Sequence, residues 1–135
     1  MSKVKVFFCL SSIRDNIDFK IITEKLKIKP TSVRKKSDFP KQSIDLGIAL
    51  NEWIICTKND DCCMSISKKI DNIQNLFFGK EDCLKTLVKD YELTCTFSVI
   101  INVEKNEYPE MFLTKENIKF MSQINAEIGF DLYID

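Results

Sequence analysis

Six cysteines, Cys9, Cys56, Cys62, Cys63, Cys83 and Cys95, are the side chains of this sequence best equipped for chemistry. A thiolate attacks electrophiles or binds soft metals when a base, a cation or a spaced ligand set supports it. No CxxC pair occurs, and the chain contains no histidine. That removes the mixed Cys/His zinc patterns, the Cys-His and Ser-His-Asp arrangements, and the commonest general base. Cys9, Cys56 and Cys95 lie inside apolar, strand-like runs, where free cysteine behaves as a small hydrophobe. The expectation is reduced, structural thiols in an intracellular protein.

Carboxylate pairs come next. Asp60/Asp61 and Asp131/Asp135 could share acid and base roles, but a helix start and a solvated edge strand explain them without chemistry. With glycine only at 47, 79 and 129, neither GxGxxG nor a Walker motif can be written. No catalytic residue, metal or cofactor is assigned, and a non-enzymatic role is expected.

The remaining candidate is charge. Residues 1–58 carry 12 Lys and Arg against six acids, and residues 59–135 carry eight against 14, so excesses of +6 and −6 cancel to zero. The basic excess sits between Lys25 and Lys41, around Arg34, Lys35 and Lys36. With Trp53, these three could hold a small anion; the polarity could also steer a charged partner. Nucleic acid is not expected, because the long strand TCTFSVIINV lacks the ribonucleoprotein consensus and the net charge is zero.

These residues must be positioned by a chain of 135 residues, 44% hydrophobic and 30% charged, which reads as one domain over 1–135. Its opening run is too short and interrupted to span a bilayer, and no cleavage site follows it. No membrane contact and a cytoplasmic location are expected. Val4, Val6, Phe8 and Leu10 alternate with Lys3, Lys5, Phe7 and Cys9 in a strand. Asp18 caps a helix bearing Ile22 and Leu26, and Pro30 forbids its extension. A short extended piece over 31–36 and a loop over 37–45 precede a buried strand at Trp53–Thr57.

Asp60 and Asp61 stand where a helix would begin, with Cys63, Ile66, Ile70, Ile73 and Phe77 on its apolar face and Gly79 ending it. A second helix carries Leu84, Leu87, Val88 and Tyr91. Leu93 to Val103 alternates strictly. Thr114 caps a helix bearing Ile118, Met121 and Ile124, and Ile128, Phe130, Leu132 and Ile134 line a closing strand.

The two ends resemble each other in element order. This suggests an α+β fold of duplicated βαβ units: a ferredoxin-like plait, largely antiparallel, with helices mainly on one face. The other face would then show Phe7, Lys5 and Cys9, Thr94, Thr96, Ser98 and Ile100, with Asp131 and Tyr133 from the last strand. Such an amphiphilic surface suits another protein or a second copy, unless the loop over 37–51 covers it.

Three stretches carry a family likeness. DFKIITEKLKIKPTSVRK resembles the "ITxxLxIxPT" helix-turn of the bacterial domain of unknown function 4279 family, Trp53 in NEWIICTK matches its tryptophan strand, and IGFDLYI resembles its closing strand. Family members usually carry a glycine after the basic turn, where this chain reads SVRKKSDFP. The resemblance implies a compact α+β fold with no assigned activity. Relatives near polymorphic toxin genes add an immunity-type role to the expectations.

Overall fold

A computed structural model describes residues 2–15, 17–57 and 65–134. The readings made for Asp60, Asp61, Cys62, Cys63 and Asp135 lie outside them. The elements run β1 (Lys3–Ser12), α1 (Phe19–Leu26), β2 (Ser32–Arg34), α2 (Lys41–Asp45), β3 (Asn51–Cys56), α3 (Ile66–Leu76), α4 (Glu81–Asp90), β4 (Thr94–Val103), α5 (Lys115–Gln123) and β5 (Glu127–Ile134). The stretch expected to be a plain loop after β2 holds a 3₁₀ turn, Lys36–Asp38, as well as α2.

Period-two patterning sets the layers. In β1, Val4, Val6, Phe8 and Leu10 are buried, and in β4 Cys95, Phe97, Val99, Ile101 and Val103 are. Their neighbours of opposite parity stay part-exposed, so one sheet face is packed and the other is not. The packed face receives Ile22 and Leu26 from α1, Ile66, Ile70 and Ile73 from α3, Leu84 and Leu87 from α4, and Phe120 and Met121 from α5. At its centre Phe8 meets Phe77 at 4.8 Å, Phe97 at 5.3 Å and Trp53 at 6.3 Å between ring centroids.

Helix ends follow local chemistry. Asp18 accepts from the Lys20 amide at 3.0 Å, and α1 stops as Lys27 turns left-handed at φ 56°. Ser65 caps α3. Thr114 and Asn117 form a reciprocal capping box at the start of α5. Asn117 is fully buried, and its Nδ2 donates to Asp71 Oδ1 at 2.7 Å and Gln74 Oε1 at 3.0 Å, tying α5 to α3. This rotates α5 so that Phe120, Met121 and Ile124 face inward while Ile118, expected in the core, is 56% exposed. Asn117→Ala removes a cap and two bonds, one to a carboxylate. It is expected to cost about 2–3 kcal/mol in a urea titration.

The sheet order is β2-β3-β1-β4-β5. β1 runs antiparallel to β3 and β4, β2 antiparallel to β3, and β4 parallel to β5. The α+β class and the largely antiparallel sheet hold, but this order is not that of a simple plait. The expected duplication is not reproduced in the pairing: the first third closes antiparallel through β1–β3, the last third parallel across α5. Periodicity reports which face a residue occupies, not which strand lies beside it.

The closing strand brings a second correction. Val99 pairs with Phe130, Ile101 with Leu132 and Val103 with Ile134, so the apolar residues of β5 do share the packed face. Yet Phe130, Leu132 and Ile134 are 47%, 53% and 72% exposed. An edge strand at the rim of the helical layer gains a partner on one side only.

Candidate functional site

The basic turn is built by β2 and the 3₁₀ turn that follows. Asp38 accepts from the Lys35 amide at 2.9 Å, and Asn51 Oδ1 accepts from the Lys36 amide at 2.8 Å. Asn51 in turn donates from Nδ2 to the Arg14 carbonyl at 2.5 Å, so the turn is pinned to the end of β1 without a glycine. Two of its three cations are engaged within the chain. The Arg34 guanidinium stacks on Phe39 at 4.0 Å, and Lys36 Nζ pairs with Asp15 at 3.2 Å.

Lys35 borders a cleft of about 560 Å³ with Asp18, Lys20 and Glu24. Trp53, grouped with these cations from sequence, does not join them. It is fully buried, and its Nε1 donates to Thr23 Oγ1 at 3.0 Å. A large ring with a satisfied N–H on the packed face of β3 is a core residue, out of reach of a ligand at the turn.

The uncovered face of the sheet brings the other candidates together. Strand registers set Arg34 beside Glu52, Cys9 between Ile54 and Thr96, and Phe7 between Cys56 and Ser98. Across β4 they set Lys5 and Asp131 on either side of Ile100, and Lys3 and Tyr133 on either side of Asn102. Phe7, Asp131 and Tyr133 therefore share one surface, as the parity of their strands required. Phe7, Cys9, Ile54, Cys56, Thr96, Ser98 and Ile100 are half-buried, whereas Lys3, Arg34, Thr94, Asn102, Glu127, Asp131 and Tyr133 are exposed. The loop over 37–51 rejoins the sheet at Asn51, which is buried with the packed parity of β3, and its residues 40–42 and 45–48 are exposed, not packed on a sheet face.

The thiols on and behind this face are poor nucleophiles. Burial, then the Glu52 carboxylate, then Cys56 push Cys9 up to about 11. Burial raises Cys56 as well, against the lowering pull of Lys5 and Lys69. Burial, then Cys9, pushes Cys95 up to about 12. Cys9 and Cys95 are thus protonated at neutral pH and are expected to react with iodoacetamide at pH 8 much more slowly than in the urea-unfolded chain, as read by peptide mass spectrometry.

Their folded values lie above the unfolded ones near ~8.5. The stability this reflects is whole below that pH and drains away as pH climbs toward 11 to 12. Cys9, Cys56, Cys83 and Cys95 are free, and among the described residues no group of three His, Cys, Asp or Glu side chains could hold a metal ion.

Sequence reasoning missed one surface. Leu132 and Ile134 on β5, with Val103, Tyr108, Pro109 and Met111 opposite, line an apolar cleft of about 310 Å³. Tyr108, Met111 and Phe112 are all more than half exposed. The signal was present in the run of apolar residues on the last strand, which the sheet order leaves with no described strand on its outer side.

No described helix is long and apolar enough to cross a membrane. No curated protein and no solved structure matches the chain. The family model described as Domain of unknown function (DUF4279) matches residues 2–135. The sequence resemblance thus extends over essentially the whole fold described above, and the chain belongs to the DUF4279 family.

Proposed function

We propose that this chain is a small, non-catalytic protein-binding module whose contact surface is the uncovered face of the sheet. The observation that carries the reading is the pattern of that face. Phe7, Cys9, Ile54, Cys56 and Ile100, with Thr96 and Ser98 among them, form a half-buried, mostly apolar centre, and Lys3, Arg34, Glu127, Asp131 and Tyr133 form an exposed polar rim. Protein interfaces have this anatomy: a centre poor in charge with aromatic residues, and a solvated rim.

The rim carries both signs, Lys3 and Arg34 against Glu127 and Asp131. Such a rim sets the orientation of a partner and rejects one whose charges oppose like with like. An immunity-type role is the specific form of this reading: the face would seat on a toxin and block it. The module would then act in the cytoplasm, in keeping with its free thiols.

The test is affinity purification of the tagged chain from cells in which it is native, at low and at raised salt. The reading expects one protein to co-purify in fixed ratio, with elution eased by salt. Recovery of the chain alone under both conditions would contradict it.

A further inference from the structure

The two edges of the sheet are unlike. β2 spans only three residues, holds Arg34 and runs into Lys35 and Lys36. Shortness and basic side chains are the means by which proteins keep an edge from pairing. β5 spans eight residues, EIGFDLYI, without lysine, arginine or proline, and all but Ile128 are exposed. Among the described residues its outer edge is unpaired, and it is long and apolar, on a surface separate from the centre of the face discussed above.

We propose that β5 is the seam of a homodimer, pairing antiparallel with β5 of a second copy about a twofold axis at Leu132. The self-fit of the strand selects this occupant and this register. Pairing Leu132 with its own mate sets Phe130 opposite Ile134 of the second copy on the helical side. Each Phe130 ring then lies beside the apolar cleft of about 310 Å³ that Leu132 and Ile134 line with Met111 and Tyr108.

On the other side, Asp131 meets Tyr133 of the second copy, a carboxylate against a phenol. An axis at Asp131 would oppose two carboxylates, which destabilises a cross-strand pair. A twofold contact reuses one patch as both projection and recess, and β5 carries both within five residues, Phe130 to Ile134. The product is one continuous sheet of ten strands with two uncovered faces on the same side.

Analytical ultracentrifugation of the full chain is the test. The proposal expects a sedimenting mass twice that of one chain. Leu132→Lys should raise the dimer dissociation constant about 30-fold or more, the scale of a central hot-spot residue. Ile134→Lys should act in the same direction, and Val33→Lys on the opposite edge should leave the dimer intact. Thermal melting of each variant separates loss of pairing from loss of fold.

The register has its own readout. Under mild oxidation Leu132→Cys should form a disulfide between the two introduced thiols. Phe130→Cys should not, because its mate lies four residues along the strand, about 13 Å away. A monomeric wild-type chain, or a dimer indifferent to Leu132→Lys, overturns the proposal; a disulfide from Phe130→Cys and none from Leu132→Cys overturns the register.

Discussion

Phe8→Ala is expected to destabilise the fold by about 4 kcal/mol, the middle of the range for deleting a buried aromatic ring. Phe8 is fully buried on the central strand, with β3 on one side and β4 on the other. Its ring touches those of Phe77, Phe97 and Trp53, which come from a helix end and both neighbouring strands. Three large, rigid side chains cannot all move into the space left, so most of the cavity would persist. For a chain of this size the melting temperature should fall by about 15 °C. A fall of only a few degrees in a calorimetric scan would show that the core can collapse around the vacancy, and that this aromatic cluster is not what holds helices to sheet.

Ser98→Arg is expected to abolish partner capture while leaving the fold intact. Ser98 lies at the middle of the uncovered face, between Phe7 on β1 and Gly129 on β5. Nothing lies within 4 Å of where a Cβ on Gly129 would be, so a long side chain at 98 can lie over that position without displacing its neighbours. The stability change should stay within about 1 kcal/mol, as for a surface site. At the centre of an interface, however, an unpaired guanidinium must be desolvated against apolar residues, which costs several kcal/mol. Capture should weaken at least about 30-fold, read as the ratio of co-purified partner to bait. Undiminished capture would move the contact surface elsewhere.

Most of the scaffold was legible because its signals are local. Strict alternation in β1 and β4 fixed which residues face the core, and Asp18 and Thr114 marked helix starts by side-chain chemistry that acts within three residues. The same parity argument put Phe7, Asp131 and Tyr133 on one surface.

The errors fall where the deciding contact is distant in sequence. Trp53 was grouped with the basic turn although its strand reads as buried, and the indole bond to Thr23, 30 residues earlier, keeps it in the core. Ile118 looked buried because its spacing suits a helix face, until Asn117 binds Asp71 and Gln74 and sets the rotation. Asp131 and Asp135 already suggest a solvated edge strand, and the order β2-β3-β1-β4-β5 bears that out; what the pattern of Phe130, Leu132 and Ile134 does not tell is how exposed their apolar side is. Strand direction was likewise hidden, since period-two alternation is the same in parallel and antiparallel pairs.

The most direct measurement is site-specific photo-crosslinking in cells in which the protein is native. A benzophenone amino acid replaces Thr94, exposed on the rim of the uncovered face, or Glu24, exposed on α1 on the helical side. The account predicts a heterologous protein adduct from position 94 and none from position 24. Equal adducts from both positions, or an adduct from position 24 alone, would contradict it.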